Sequence, residues 1–542
     1  MHPKAPASPT GGPSDPRLAT SLVHGLEVLE ALADAGRALS NGALSRRTGL
    51  SKASVSRLTL ALQSRGLVDE AGLSPGFRPG LGALSLGYPL LARWGLRQLA
   101  RPAMLKLAQA WGGSVSLGLR DRQHMVYVET VRASDPPGFQ PEVGARLPLL
   151  PTAMGRAWLA CADDAMLATL SDPAPPGLDP QQIAVARVRA RQDLEQHGCC
   201  ISVGEWLPDI QALALPMALH LRGQRLFLNL GLPIRRRQGP GFAQTAAADL
   251  RALAQLIERR WAEAEPDRAA RAQVERASQA TAPAVKPPPP HPTARTLCAG
   301  LDVLGLFGPG RWELGNRDIA RLLALPPQTV ARLTFTLCQR GYLQRHVQPG
   351  SHPRYQLGWA ALAPTQGLLS DLRLRRQARQ TLLALSRELG GAVSLGLEHR
   401  AHMVYVETVW RSDGRALPPD IGAPMPLLST AMGRAWLGQA APQVREQTLN
   451  RLRVTQAEDV ARHLPAALEA VGFFQAHGWC LSEDFSSDIM ALATPVQAPA
   501  EGRCYVLNAG LWRAREMEAS RLQAMAGRLC EAARQLEHEA GA

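Results

Sequence analysis

The sequence predicts an α+β protein made of two copies of one unit, each a small helical domain with a strand hairpin followed by a larger domain of mixed sheet and helices. Three observations carry this reading: long exact repeats at one spacing, short helices with one-signed surfaces near the start of each copy, and alternating runs later in each copy. Val115-Ser-Leu-Gly-Leu119 returns as Val393-Ser-Leu-Gly-Leu397, and His124-Met-Val-Tyr-Val-Glu-Thr-Val131 returns as His402 to Val409. Thr152-Ala-Met-Gly-Arg-Ala-Trp-Leu159 returns as Thr430 to Leu437, and all three repeats lie 278 residues apart. An octapeptide recurring unchanged at a shared spacing is a duplication. Its period exceeds any solenoid unit, and each copy is long enough to hold its own core.

A chain of 542 residues, 46% hydrophobic and 20% charged, suits several soluble globular domains. Sixty Lys+Arg against 46 Asp+Glu give a formal charge of +14, which favours a polyanionic partner, nucleic acid foremost. No apolar run is long enough to span a bilayer; Gln211 to Leu221 suits a buried strand. Residues 1–16 are rich in Pro, Ser and Gly, lack the apolar stretch of a secretory leader, and read as a disordered tail. The Cys residues 161, 199, 200, 298, 338, 480, 504 and 530 form no C-x-x-C pair, so neither a metal site nor a cofactor is expected. Free thiols of this kind point to a cytoplasmic protein. Residues 268–292 end in Lys286-Pro-Pro-Pro-Pro-His-Pro292, an extended spacer between the copies.

In copy 1, Leu22, Leu26, Leu29 and Ala33 make one apolar stripe of a helix, as Leu297, Leu301 and Leu304 do in copy 2. Gly36 and Gly308 stand near the ends of these helices. A short helix over Asn41 to Arg47 and the link Thr48-Gly-Leu50 lead to a third helix, capped by Ser51 and reaching about Arg65. Val55, Leu58 and Leu62 fall on its core face, while Lys52, Ser54, Ser56 and Arg57 face elsewhere. That division suits a helix that lays its polar front in the major groove. Between Arg37 and Arg65 there are six basic residues and no acidic one, as phosphate neutralisation requires.

Copy 2 repeats the design from Asn316 to Arg340 with Val330, Leu333 and Leu337 inward. Pro327 replaces Lys52 and Gln328 replaces Ala53, so the two reading heads should prefer different bases. The residues expected to meet DNA are Arg46, Arg47, Ser51, Lys52, Ser54, Ser56 and Arg57 in copy 1, and Arg317, Gln328, Thr329, Arg332 and Arg354 in copy 2. After Arg65-Gly66 and Arg340-Gly341 the chain reads as strand, turn, strand, a wing. Gln348-Pro-Gly350 marks the turn in copy 2. In copy 1, Pro75-Gly76 and Pro79-Gly80 crowd the loop, and Pro79 cannot donate to a ladder, which predicts an irregular wing.

The second half of each copy opens with a helix, Gly95 to Trp111 or Leu372 to Leu389, leading into a strand near Gly113 or Gly391. His124 to Val131 alternates as a strand. Pro148-Leu-Leu-Pro-Thr-Ala-Met-Gly155 turns into a helix at about Ala153, whose first N–H groups could bind an acceptor. Strand-like runs follow at 198–203, 210–217 and 225–231, and at 478–482, 489–496 and 504–510, before a closing amphipathic helix. A pocket between the turn and the strands suits a small ligand. An enzyme built on Cys199 or Cys200 as nucleophile with His124 or His402 as base is the rival, but no motif joins these residues, so no catalytic site is expected.

Thr48-Gly-Leu-Ser-Lys-Ala-Ser-Val-Ser-Arg-Leu58 with Arg65-Gly-Leu67, Arg354-Tyr-Gln-Leu-Gly358, Ala100-Arg-Pro102 with Gly113 to Leu119, and the repeated Thr-Ala-Met-Gly-Arg-Ala-Trp-Leu segment together resemble the IclR family of bacterial transcriptional regulators. The resemblance covers both copies and implies a winged helix-turn-helix, a linker helix and a GAF-like effector domain. It implies binding to double-stranded promoter DNA as a dimer or pair of dimers, repressing or activating, under control of a small organic acid or aromatic effector. By this resemblance the effector meets Ala153, Met154, Gly155, Ser202 and Asn229, and Ala431, Met432, Gly433, Ser482 and Asn508. Ser202 and Ser482 stand where an acidic residue is common, and Ala212 and Ala491 where some members carry Cys or another polar residue.

The expected organisation is winged helix-turn-helix 17–82, linker and effector domain 83–267, spacer 268–292, winged helix-turn-helix 293–358, and linker and effector domain 359–542. One chain would act as a built-in pseudo-dimer, alone or as a homo-dimer, with a ligand-independent architectural DNA binder as the alternative.

Overall fold

The computed structural model describes residues 15–71, 76–92, 95–133, 142–170, 179–234, 241–264, 294–308, 311–347, 352–409, 420–513 and 518–541. The 268–292 spacer, the first fourteen residues of the tail and the Gln348–Gly350 turn lie outside this set. The chain forms two compact units. One holds residues up to 69 together with 76–368, and the other holds 369–542 with 70–75.

The first unit contains both small helical regions. In copy 1 these are α1 (Thr20–Ala33), α2 (Asn41–Thr48) and α3 (Lys52–Ser64). Ser40 caps α2 by accepting from Ala43 N, and Ser51 caps α3 by accepting from Ser54 N, both at 3.2 Å. Gly49 ends α2 at φ +73°, a left-handed turn that glycine adopts without penalty. Leu22, Leu26, Leu29, Leu44, Val55, Leu58 and Leu62 close the core between the three helices. The wing of copy 1 is more regular than Pro79 implies. β1 (Val68–Glu70) pairs with β2 (Phe77–Pro79), and Phe77 also exchanges two backbone hydrogen bonds of 2.9 Å with Leu39. Pro79 is the last residue of its strand, where a missing donor costs little.

Linker helix α4 (Gly82–Ala92) leads to α5 (Leu96–Trp111) and a six-stranded sheet. Its strands are β3 (Ser114–Asp121), β4 (His124–Arg132), β5 (Arg146–Pro148), β6 (Cys200–Val203), β7 (Ile210–Leu221) and β8 (Gln224–Pro233). The order is β5-β4-β3-β8-β7-β6, and every pairing is antiparallel where a sheet of mixed direction is expected from the sequence. Two tight turns explain this: Arg122-Gln123 joins β3 to β4, and Arg222-Gly223 joins β7 to β8 with both residues at positive φ. Connections this short close antiparallel hairpins and cannot return a parallel strand. Against the sheet pack α5, α6 (Ala153–Cys161), α8 (Pro180–His197) and α9 (Phe242–Glu263), with the short α7 (Asp164–Ala168) between α6 and α8.

Copy 2 begins with α10 (Arg295–Gly305), β9 (Leu314–Gly315), α11 (Asn316–Leu323) and α12 (Pro327–Gln339). Its wing is β10 (Leu343–His346) with β11 (Arg354–Leu357), and β11 also pairs with β9. Linker helix α13 (Leu362–Asp371) follows a short 3-10 turn.

The second unit repeats the sheet domain with α14 (Arg373–Leu389), β12 (Ala392–His399), β13 (His402–Val409), β14 (Pro424–Pro426) and α15 (Ala431–Gln439). Then come α16 (Pro442–Thr455), α17 (Ala457–His477), β15 (Cys480–Ser486), β16 (Ile489–Ala498), β17 (Arg503–Trp512) and α18 (Ala519–Gly541). The strand order and antiparallel register match copy 1, including the bulge that falls at Leu117/Gly118 and at Leu395/Gly396.

Candidate nucleic-acid interface and effector site

The outward faces of the two third helices differ in what they leave open. In α3, Lys52, Ser56 and Arg57 are exposed, and Arg46 and Arg47 stand exposed at the end of α2. Ser51 and Ser54 are engaged with each other, through Ser54 N to Ser51 Oγ and the two hydroxyls at 3.0 Å, so their polar atoms shape the helix start. Ser56 Oγ accepts from Asn41 Nδ2, tying α3 to α2. Copy 1 thus presents Arg46, Arg47, Lys52 and Arg57 as a one-signed surface.

In copy 2, Arg317 and Gln328 are exposed and Thr329 is half-buried. Arg332 donates Nη2 to Leu18 O at 2.7 Å. Arg354 donates to Glu313 O at 2.8 Å and lies 3.7 and 3.8 Å from the carboxylates of Glu313 and Asp318. Two of the arginines expected to meet DNA therefore hold intramolecular contacts as well. The wing adds Arg345 and His346, exposed on β10, which the helix-centred reading of the sequence passed over.

The two heads pack on each other through α1 and α10. A Cβ at Gly25 would collide with the Leu297 side chain, and one at Gly300 would collide with Leu22. Arg65 makes a two-pronged ion pair with Asp302, Nε to Oδ1 at 2.8 Å and Nη2 to Oδ2 at 2.9 Å. Arg340 reaches Glu27 at 3.4 Å and Glu30 at 2.7 Å. Leu22 and Leu297, Gly25 and Gly300, Arg65 and Arg340, and Glu27 and Asp302 are each 275 residues apart. The contacts are therefore reciprocal, as in a two-fold interface between identical subunits.

In the sheet domain of copy 1, Thr152 fixes the turn. Its hydroxyl accepts from Gly155 N at 3.1 Å and donates to Pro148 O at 2.7 Å. Of the three expected backbone donors, Gly155 N–H is thus used by the cap. Ala153 and Met154 carry N–H groups that a helix start cannot satisfy internally. Ser202, which is buried, donates to Pro151 O at 2.7 Å, and buried Asn229 donates to Tyr127 OH at 3.4 Å. Met154 fills the space over Gly118, where a Cβ would collide with its sulfur.

Copy 2 reproduces the arrangement. Thr430 accepts from Gly433 N at 3.1 Å, Ser482 donates to Ser429 O at 2.7 Å, Met432 lies over Gly396, and Asn508 is buried. Each turn is thus tied to its edge strand by a buried serine, with a methionine occupying the space between turn and sheet, while Asn229 is bonded instead to Tyr127 on the sheet. A groove of about 320 Å³ in copy 2 lies elsewhere, between Phe474, His477, Gln497 and Arg534.

Sequence reasoning missed Arg156 and Arg434. Arg156 is buried, bonds Leu150 O at 3.1 Å and Ile201 O at 2.8 Å, and pairs with Glu205. Arg434 bonds Leu428 O at 2.9 Å and pairs with Asp484. Each clamps the turn to the edge strand. The signal was available: a lone charge at one position of an otherwise apolar repeat. Gly155 is fixed by close approach, since a Cβ there would strike the backbone of Leu149. Gly155→Ala should cost about 1–3 kcal/mol through forced backbone displacement. An unchanged melting temperature would show that the turn has slack.

The chemistry does not favour catalysis. Burial pushes the Cys199 thiol up to about 11 and Cys200 higher still, the reverse of an activated nucleophile. Burial, with Arg146 and Arg122 nearby, pushes the His124 imidazole down to about 4. Among the described residues no group of three or more His, Cys, Asp or Glu could hold a metal ion, and no helix is long and apolar enough to cross a membrane.

Paired winged helices with basic outer faces, each followed by a sheet domain, define a DNA-binding regulator. The IclR helix-turn-helix domain matches residues 21–72 and 299–346, and the bacterial transcriptional regulator IclR C-terminal domain matches residues 89–259 and 366–538. The chain belongs to the IclR family, as a tandem of two copies. It is 37% identical over 161 residues to the HTH-type transcriptional regulator TsaQ1/TsaQ2 of Comamonas testosteroni, a match covering 29% of this chain and 56% of that protein. It is 30% identical over 195 residues to the glycerol operon regulatory protein of Streptomyces griseus, covering 36% of this chain and 75% of that one. A crystal structure of an IclR family transcriptional regulator from Brucella abortus is 29% identical, with a TM-score of 0.39, over 47% of this chain and 98% of its own.

Proposed function

We propose that one chain binds an operator in double-stranded promoter DNA as an internal pair of heads. Its GAF-like sheet domains would take a small organic acid or aromatic effector that modulates this binding. The observation that carries the reading is the reciprocal packing of α1 on α10, with matched glycines and matched ion pairs, inside a single polypeptide. A pair of heads joined this way supplies the two-fold arrangement that regulators of this class otherwise obtain from two subunits. Lys52, Ser56 and Arg57 of α3 read one half-site, and Gln328 and Thr329 of α12 read the other. Because these sets differ, the operator is not a perfect palindrome. Arg46, Arg47, Arg317 and Arg354 meet phosphates, while Ser51, Ser54 and Arg332 support helix placement. The effector turn presents the N–H groups of Ala153 and Met154, and of Ala431 and Met432, with Ser202, Asn229, Ser482 and Asn508 behind them, and entry requires Met154 or Met432 to swing aside.

The test is a titration of the full chain with a promoter duplex, read by anisotropy and analytical ultracentrifugation. One chain per duplex with protection of two unequal half-sites is expected. Arg57→Ala should lower affinity and reduce the salt slope by about one if it meets a phosphate, or relax preference at one base pair if it meets a base. Protection of a single half-site by a chain lacking residues 293–542, identical to that of the intact chain, would defeat the reading.

A further inference from the structure

The residues just ahead of α1 lie on the third helix of the other copy. Ala19 N donates to Thr336 Oγ1 at 2.9 Å in a buried contact, and Arg332 Nη2 donates to Leu18 O at 2.7 Å. The Arg17 guanidinium sits 4.5 Å from the Phe335 ring centroid. Asp15 holds that guanidinium, accepting from Nε at 3.0 Å and from Nη2 at 2.7 Å, and its carbonyl accepts from Leu18 N at 2.9 Å. Residues 15–19 thus form a clasp on α12.

The clasp engages the outward face of this helix. Val330, Leu333 and Leu337 turn α12 to its core, and at about 3.6 residues per turn Gln328, Arg332, Phe335 and Gln339 fall on the opposite side. That is the side a third helix offers to the major groove. Gln328, near the start of the helix, is left exposed. One turn further on, Arg332 is held by a main-chain carbonyl and Phe335 is half-buried beside Arg17. The Asp15 side chain, 33% exposed, brings a carboxylate to this face and offsets the charge of Arg17, whereas contact with phosphates calls for a cation without such a partner.

The same clasp cannot form on the third helix of copy 1. The residues matching Arg332, Phe335 and Thr336 are Arg57, Leu60 and Ala61, so the ring and the hydroxyl are both missing. Pro290 and Pro292 stand where the clasp has Asp15 and Arg17, so its ion pair is missing too. Arg57 is exposed, and Leu60 is 51% exposed. The duplication therefore kept a matched arginine on each third helix but built the clasp for one of them.

We propose that residues 15–19 are a specificity-determining clasp: they keep Arg332 off the DNA, so that of the two matched arginines only Arg57 meets it, and α12 reads its half-site through Gln328 and Thr329 alone. The proposal rests on the regulator reading above. It makes Arg17, Phe335 and Thr336 positioning residues, which act on DNA through Arg332 and touch no base themselves.

The experiment is anisotropy of a labelled promoter duplex titrated with the full chain across a salt series. Arg332→Ala is expected to leave affinity within about twofold of the parent and the salt slope unchanged, because no phosphate contact is lost. Phe335→Leu/Thr336→Ala, which installs the residues that copy 1 carries, removes two anchors of the clasp and frees Arg332. Its salt slope should steepen by about one and its affinity at low salt should rise about threefold or more. Adding Arg332→Ala to that variant should abolish the gain. A slope that falls by about one in Arg332→Ala alone would show that Arg332 meets a phosphate with the clasp in place, and would overturn the proposal. So would a parent-like slope in Phe335→Leu/Thr336→Ala with an unchanged circular dichroism spectrum, or a gain that survives the added Arg332→Ala. Should the double variant fail to fold, Arg332→Ala decides alone. A chain that binds no duplex at low salt removes the regulator reading and this proposal with it.

Discussion

Glu129→Ala is expected to destabilise the copy 1 sheet domain by about 3–5 kcal/mol, because it strips the carboxylate from two buried guanidinium groups. The Glu129 side chain is 1% exposed; Arg97 Nε lies 3.1 Å from one of its oxygens and Arg101 Nη2 3.5 Å from the other. The two arginines sit one helical turn apart on α5, and the glutamate sits on β4, so the cluster fastens the entry helix to the sheet. Glu129 Oε1 also accepts from Thr130 N at 2.8 Å, which holds the carboxylate in place next to the bulged strand. Copy 2 repeats the cluster, with Arg375 at 2.8 Å and Arg379 at 3.7 Å from Glu407. Glu407→Ala should therefore lower the stability of its own domain by a similar amount, and Glu129→Gln, which keeps volume and one acceptor, should cost less than the alanine change. Denaturant unfolding followed by circular dichroism would resolve these as shifts of separate transitions, since a chain of several domains need not unfold in one step. A Glu129→Ala midpoint equal to that of the parent would mean that water solvates the cluster.

The parts of this molecule that were legible in the sequence are those where local chemistry and tertiary demand agree. α2 and α3 could be placed because Gly49 and Ser51 punctuate the link between them and because Val55, Leu58 and Leu62 repeat with helical period. The Thr152 turn was legible because duplication printed it twice. The helices α8 and α17 were not legible. α8 fully buries only Ala190, and its thin stripe of Ile183, Ala186, Ala190 and Leu194 is blurred by Val185 and Val188, which are 70% and 58% exposed. The antiparallel course of the sheet was missed because turns such as Arg222-Gly223 and Arg400-Ala401 place non-glycine residues at positive φ, where composition gives a weak hairpin signal. The clamping role of Arg156 and the bond from Arg222 to Leu357 depend on partners 45 and 135 residues away, which no local pattern encodes.

Asp302→Ala should separate the two heads' contributions to DNA binding, and its partner pair supplies the internal control. The Arg65 and Asp302 side chains are 6% and 12% exposed, so removing the carboxylate leaves Arg65 buried without it, at a cost of about 3–5 kcal/mol. The reciprocal pair is wetter: the Arg340 and Glu27 side chains are 27% and 30% exposed at 3.4 Å, and Glu27→Ala should cost no more than about 1 kcal/mol. The duplication thus left two copies of one contact with unequal weight, and the ranking Asp302→Ala well above Glu27→Ala follows from burial alone. Loosening the α1–α10 packing lowers the effective concentration of the second head once the first is bound. Affinity for an operator with both half-sites should fall at least tenfold, while affinity for a single half-site stays within twofold. The exchange Arg65→Asp/Asp302→Arg, which restores opposite charges across the same gap, should recover part of the loss. Equal losses from Asp302→Ala and Glu27→Ala, or losses that appear equally on one half-site and on two, would mean that this interface does not hold the heads in their DNA-binding arrangement.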